Sequence, residues 1–202
     1  MFIAYKPELS FHGTLHWEMQ DGKPAVHGLS ATYIEKAPTA IDDGWIYASV
    51  GDTYSGPKPV GLGVDMVSGR LIGLRFWFAC YYCEGHDSYR YRYKLTVFDD
   101  LQADNPFQFY SLDTSRNGYL AVYKDSAPQL ANADGPLWEL KDVDPWDDIK
   151  HGASLSNVTL ISPAGKPVRR KMEEHFPYLN DQAGHDTRFT INVTNDAGLC
   201  PW

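Results

Sequence analysis

The sequence lacks the features that identify several large classes of protein. It has only three cysteines, and their odd number excludes a fully paired disulfide scaffold. We therefore expect Cys80, Cys83 and Cys200 to be free thiols. No apolar stretch approaches the roughly 20 residues that a membrane-spanning helix needs. The first residues also lack the basic segment and apolar run of a secretory signal, which favours a cytoplasmic protein or one released without a signal peptide.

An excess of basic residues is also missing. Eighteen lysines and arginines stand against twenty-six acidic residues, so the net charge is −8. The basic clusters are short, at residues 90–94 and 169–171. Nucleic-acid binding normally requires an extended basic face, so it is excluded as a general activity. The expected partner is therefore a small molecule or a glycan.

Amphipathic helical patterns are scarce, whereas strand and turn residues are plentiful. The chain has thirteen tyrosines, six tryptophans, seventeen glycines and thirteen prolines. About ten short alternating segments separated by turn signals are typical of a β-sandwich or barrel. We predict one all-β domain over residues 1–202, an antiparallel jelly-roll-like sandwich, with a lipocalin-like barrel as the alternative. Short helical turns are expected at residues 144–151 and 169–175.

Three pairs of segments have the pattern of β-hairpins. Residues 10–19 and 26–34 flank the turn formers Asp21 and Gly22. Residues 107–112 and 119–123 flank Asn117 and Gly118, a favoured pair in tight turns. The longest hairpin is predicted over residues 71–98, with its connection at residues 84–88.

The hairpin over residues 71–98 has two different faces, because side chains alternate along a strand. Phe76, Phe78 and Cys80 share an apolar face, which predicts core. The opposite face combines aromatic and basic side chains from both arms. Unpaired charges are costly to bury, which argues against complete coverage of this face by a second sheet. The face is then either an ordinary solvated surface, with basic side chains lying over the rings, or a ligand platform. Flat rings stack on sugars and guanidinium groups grip polar ligands, which identifies a candidate platform: Trp77, Tyr81, Arg90 and Arg92.

This surface favours a non-enzymatic, lectin-like protein that binds a carbohydrate or a similar ligand. A different use of the same face is protein association. The chain is then a structural protein or a toxin component, a homo-oligomer whose hairpin face forms the interface. The sequence leaves both interpretations open.

An enzymatic alternative comes from the connection of the same hairpin. Cys83, His86 and Asp87 are the residue types of a thiol hydrolase or deamidase, in which a base activates a thiolate. Cys80, Cys83 and His86 also match zinc-ligand spacing, with Cys200 or another histidine available as a fourth ligand. Strand alternation, however, sends Cys80 and Cys83 to opposite faces. The leading prediction therefore has no cofactor.

A calcium site is the other metal alternative. Asp142, Asp144, Asp147 and Asp148 lie close together in sequence, and calcium prefers carboxylate oxygens. Trp146 occupies the fifth position of any loop that begins at Asp142, so the EF-hand pattern fails. Helix capping and the helix dipole give these acidic residues an ordinary structural role.

Overall fold

A computed structural model describes residues 2–19, 21–25, 28–34, 44–48, 69–84, 89–98, 105–124, 135–173 and 176–195. One 3-10 turn lies at Pro7–Leu9. The rest of the regular structure consists of strands: β1 Phe2–Tyr5, β2 Phe11–Trp17, β3 Ser30–Ile34, β4 Ile46–Tyr47, β5 Gly69–Gly73, β6 Phe76–Glu84, β7 Tyr89–Val97, β8 Tyr110–Thr114, β9 Leu120–Lys124, β10 Glu139–Lys141, β11 Ser154–Ile161, β12 Arg169–Glu173, β13 Phe176–Asn180, β14 His185–Asp186 and β15 Phe189–Asn195.

The strands form two antiparallel sheets. The first has the order β10-β11-β15-β2-β6-β7-β8-β9, and β1 pairs with β6 beside β2. The second has the order β14-β12-β13-β4-β3-β5. Trp138 bridges back to Tyr93 on β7, but β9 and β10 at the ends of the first sheet are not neighbours. The sheet is therefore not a closed lipocalin-like barrel. The predicted all-β, antiparallel architecture is confirmed, in a sandwich-like arrangement.

Residues of both sheets form one apolar core. Its largest fully buried members on the first sheet include Phe11, Phe76 and Phe78, and Ala31 and Ile46 enter it from the second sheet. β2 shows how the pattern produces this, because every second residue from Phe11 to Trp17 is buried and the residues between are half-buried. Hydrophobic burial thus fixes which face of each strand turns inward.

The long hairpin is confirmed. β6 and β7 pair without a break from Phe76 opposite Val97 to Glu84 opposite Tyr89. The predicted core face is correct, since Phe76, Phe78 and Cys80 are buried in the main core. The hairpin formed by β8 and β9 is also confirmed, and Gly118 has a left-handed backbone with φ of 80° in its turn.

The predicted hairpin between residues 10–19 and 26–34 is only half correct. The chain turns at Asp21 and Gly22 and follows β2 back through hydrogen bonds from Ala25 N–H to Trp17 and from Leu29 N–H to Leu15. β3 then joins the second sheet, where it pairs with β4 and β5. The turn chemistry was readable from the sequence, whereas the change of sheet depends on tertiary packing.

No helix extends over residues 144–151, where a single turn forms, and the helical turn predicted at residues 169–175 is wrong. Residues 145–148 form a turn closed by the hydrogen bond from Asp148 N–H to the Asp144 carbonyl. Residues 169–173 are β12, which pairs with β13 and β14 on its two sides. Two available strand partners outweigh the weak helical preference of this segment. No helix among the described residues has the length and apolar character to cross a membrane.

Candidate functional site

The predicted platform is not an open surface. Trp77 and Tyr81 are each only 1% exposed. They belong to a second, smaller apolar cluster with Ala79, Cys83 and Leu137, against which Ile3, Tyr5 and Phe98 pack. The ring contacts are close, with the Tyr5 centroid 5.5 Å from that of Tyr81 and 6.3 Å from that of Trp77. Protein atoms cover both rings, so neither offers an open face on which a ligand could stack.

The sequence predicts that basic side chains keep this face from being covered. The structure shows that they do not. Lys94 is only 3% exposed, and Gly135 packs against the outer part of its side chain. Arg92 lies opposite Tyr81 in the strand register and is half-buried. Arg90 is exposed and forms an ion pair of 3.1 Å with Glu139. Because the rings of this face are buried, they are not exposed for contact with a second copy of the chain.

The two cysteines lie in different clusters, as their alternation predicts. Cys80 is buried in the main core and Cys83 in the smaller cluster. Burial raises the pKa of the Cys80 thiol to about 12 and also raises that of Cys83. A catalytic thiol needs a lowered pKa and access to substrate. The geometry therefore argues against Cys83 as a nucleophile and against a zinc site that uses both thiols. His86, Asp87 and Cys200 lie outside the described residues.

The acidic segment at residues 142–148 uses its carboxylates to build a turn. Asp144 accepts a hydrogen bond from Trp146 N–H at 2.9 Å, and Asp148 accepts one from Asp144 N–H at 2.8 Å. Among the described residues, no three His, Cys, Asp or Glu side chains converge in a way that would hold a metal. The alternative calcium set, Asp142, Asp144, Asp147 and Asp148, is therefore not assembled.

That turn presents an exposed tryptophan. Trp146 is 57% exposed, the highest exposure of any large apolar side chain that the structure describes. Its indole N–H donates to the Tyr91 hydroxyl at 3.1 Å. The backbone bonds of the turn and this side-chain bond together fix the position of the ring. Such a ring offers a flat face to solvent at little further entropic cost on binding.

A pocket of about 200 Å³ lies next to this ring, and its lining includes Arg90, Tyr91, Glu139 and Asp142. Asp142 directly follows β10 and has a left-handed backbone with φ of 72°. The Arg90–Glu139 ion pair supplies hydrogen-bond donors and acceptors side by side. We call this group the Trp146 pocket, because two of its lining residues, Tyr91 and Pro145, are the hydrogen-bond partner and the chain neighbour of Trp146.

Sequence reasoning found Arg90 but missed Trp146 and Tyr91. In the sequence, Trp146 stands out only as the residue that breaks the EF-hand pattern. The available signal was a large aromatic residue inside a strongly polar turn, where no apolar periodicity gives it a place in the core. Tyr91 is half-buried and packs against the main core, so strand alternation places it on the apolar face of the hairpin and gives no sign of its bond to Trp146.

A second, larger cavity lies where the end of β2 meets β12 and β14. Its volume is about 500 Å³, and the residues around it include Trp17, Glu18, Arg170, His185 and Arg188. We call it the β2–β14 cleft. Its residues come from four separated parts of the chain, so no local motif in the sequence could have identified it.

Comparison with protein-family models, with curated proteins and with solved structures finds no match to this chain. The two concave sites and their side chains are therefore what indicates function.

Proposed function

We propose that the protein is a non-enzymatic, lectin-like recognition protein that binds a carbohydrate at the Trp146 pocket. The observation that carries the proposal is the exposed indole of Trp146, held by Tyr91 beside a polar pocket. An exposed tryptophan that is fixed in place is a common anchor of binding surfaces.

The chemistry of the pocket fits a sugar. The face of an indole ring carries negative charge density, and it attracts the weakly positive C–H groups on the apolar face of a pyranose. Sugar hydroxyl groups both donate and accept hydrogen bonds. Arg90 donates and Glu139 accepts at the adjoining wall, so one vicinal diol satisfies both partners.

The size and openness of the site favour the end of a glycan over an enclosed metabolite. A pocket of about 200 Å³ is below the usual range of roughly 300–1,000 Å³ for enclosed small-molecule sites. Trp146 extends the contact surface beyond the pocket. We expect one sugar ring to occupy the pocket and a neighbouring ring to stack on the indole.

A glycan array with the wild-type protein and three variants tests the proposal. We expect wild-type binding to a defined set of glycans, and a loss of at least about tenfold in affinity for Trp146→Ala and Arg90→Ala. Tyr123→Ala is the matched control, since Tyr123 is 42% exposed on β9 and does not line the pocket. Absence of wild-type binding, or binding that survives Trp146→Ala, would contradict the proposal.

A further inference from the structure

The β2–β14 cleft has the volume of an ordinary small-molecule site. About 500 Å³ lies within the range that pockets for metabolite-sized ligands occupy. The cleft forms at the edge of the sandwich, where Trp17 ends β2 on the first sheet and His185 begins β14 on the second. Both sheets thus contribute side chains to one concave surface.

The carboxylates of the cleft are already engaged by the protein. Glu18 accepts hydrogen bonds from Asn157 N–H and, at 2.9 Å, from the Thr190 hydroxyl. Asp186 accepts from Nε of Arg169 at 3.0 Å. These contacts compensate the negative charges with protein donors, so the two carboxylates are poor candidates to receive a cationic ligand.

The basic groups of the cleft have donors to spare. Nη1 of Arg188 donates to the Thr159 hydroxyl, and among the described residues the rest of its guanidinium group has no hydrogen-bond partner. The imidazole of His185 is exposed and also has no side-chain partner in the described part of the chain. A guanidinium fork and an imidazole that line the same cavity are suited to a carboxylate or phosphate group.

A flat surface and two flexible apolar walls complete the cleft. The guanidinium of Arg170 lies 4.2 Å from the centroid of the Trp17 ring, which is itself nearly buried. The Arg170 side chain also lines the cleft, so a flat ring that enters the cleft can stack on it. Met19 and Met172 line the same cavity, and methionine side chains adapt to the shape of an apolar ligand.

We propose that the β2–β14 cleft is a second binding site, separate from the Trp146 pocket, for a small organic anion that carries a flat ring. Arg188 and His185 bind its phosphate or carboxylate group, and the ring stacks on Arg170 between the two methionines. This site does not depend on carbohydrate binding elsewhere in the molecule.

Calorimetric titration with four probes tests the proposal. Phenyl phosphate and benzoate combine a ring with an anion, inorganic phosphate supplies the anion alone, and benzyl alcohol supplies the ring alone. We expect at least one of the first two to bind at least tenfold more tightly than inorganic phosphate, with no measurable binding of benzyl alcohol. The better of the two also shows whether the site prefers phosphate or carboxylate.

Variants locate the binding. Arg188→Gln and His185→Gln are expected to weaken the better probe at least tenfold, and Lys166→Gln is the control, because it removes an equal charge at an exposed position that does not line the cleft. If Arg188→Gln fails to fold, Arg188→Lys and the exposed His185→Gln decide the question. Failure of both ring-bearing anions to bind the wild-type protein overturns the proposal. Binding that is unchanged in the His185 and Arg188 variants, or inorganic phosphate binding as tight as the ring-bearing probes, also overturns it.

Discussion

At the scale of single residues, burial separates two kinds of tryptophan in this protein. Trp77 is 1% exposed inside the small cluster, whereas Trp146 is 57% exposed on a turn. Trp146 stands in a strongly polar turn, whereas Trp77 stands in an apolar strand but pairs with a strand that carries Arg92 and Lys94 on the same face. The difference depends on whether another part of the chain packs over the ring.

The two tryptophans are expected to respond oppositely to truncation. Trp77→Ala removes a fully buried ring and leaves a cavity, so the free energy of unfolding should fall by about 3–5 kcal/mol. Trp146→Ala removes an exposed ring and should change it by no more than about 0.5 kcal/mol. Urea unfolding at neutral pH measures both. Equal losses of stability in the two variants would contradict the burial of the Trp77 ring.

At the scale of elements, turns depend on the space around their glycines as well as on the backbone angle. Gly118 and Gly165 have φ values of 80° and 75°. A Cβ on Gly118 would lie 2.6 Å from Oδ1 of the buried Asp181, whereas a Cβ on Gly165 would meet nothing within 4 Å. Comparing the two glycines therefore separates the requirement for a left-handed backbone from the requirement for free space around the Cα atom.

Alanine substitutions at Gly118 and Gly165 measure the energetic cost of each requirement. Gly165→Ala should cost about 1 kcal/mol, the usual penalty of a left-handed alanine. Gly118→Ala should cost clearly more, because the β8–β9 turn must also move away from Asp181. Thermal or urea unfolding of both variants gives the comparison. If the two costs are equal, the close approach at Gly118 has no energetic weight.

The N-terminal strand β1 is expected to control access to the small cluster. Ile3 lies opposite Cys83 and Tyr5 opposite Tyr81, and both side chains pack against the cluster. Deletion of residues 1–5 should therefore raise the rate of Cys83 alkylation by iodoacetamide at pH 8. Cys80, in the main core, should remain slow and serves as the internal control. Mass spectrometry of the two cysteine peptides reads both rates, and an unchanged rate at Cys83 would contradict the covering role of β1.

Sequence reasoning succeeded for elements defined by local signals and failed where contacts join remote segments. The β6–β7 and β8–β9 hairpins could be predicted because alternation and turn residues are local signals. The covering of Trp77 could not, because Ile3, Tyr5 and Leu137 are remote in sequence and their contacts depend on tertiary packing. The partner of β3 and the residues of the β2–β14 cleft were beyond reach for the same reason.

At the scale of the whole molecule, several buried acids become harder to ionise on folding. Burial raises the pKa of Cys80 from 9.0 to about 12, and burial also raises the pKa of the Tyr93 hydroxyl beside it. In each case the unfolded chain releases its proton at a lower pH than the folded chain. Stability is therefore complete below the unfolded values and is lost as the pH rises toward the folded ones.

We expect the free energy of unfolding to fall between pH 9 and pH 12, by up to about 1.4 kcal/mol per pH unit for each such group. Urea titrations at intervals between pH 8 and pH 11 measure the slope. Cys80→Ala should make the slope shallower, whereas Val97→Ala, a truncation of another buried core residue, should lower stability at every pH and leave the slope unchanged. A slope that is the same in wild type and Cys80→Ala would refute this account.

β1 also covers backbone groups of β6 that could otherwise pair with a strand of another copy of the chain. β6 is nine residues long, β2 pairs only with its first part, and β1 pairs with residues 81–84. Without β1, that stretch would present unpaired backbone groups next to newly uncovered rings, which is a template for intermolecular strand addition. A strand of four residues therefore covers an edge to which another chain could otherwise add a strand, and removal of residues 1–5 is expected to promote aggregation.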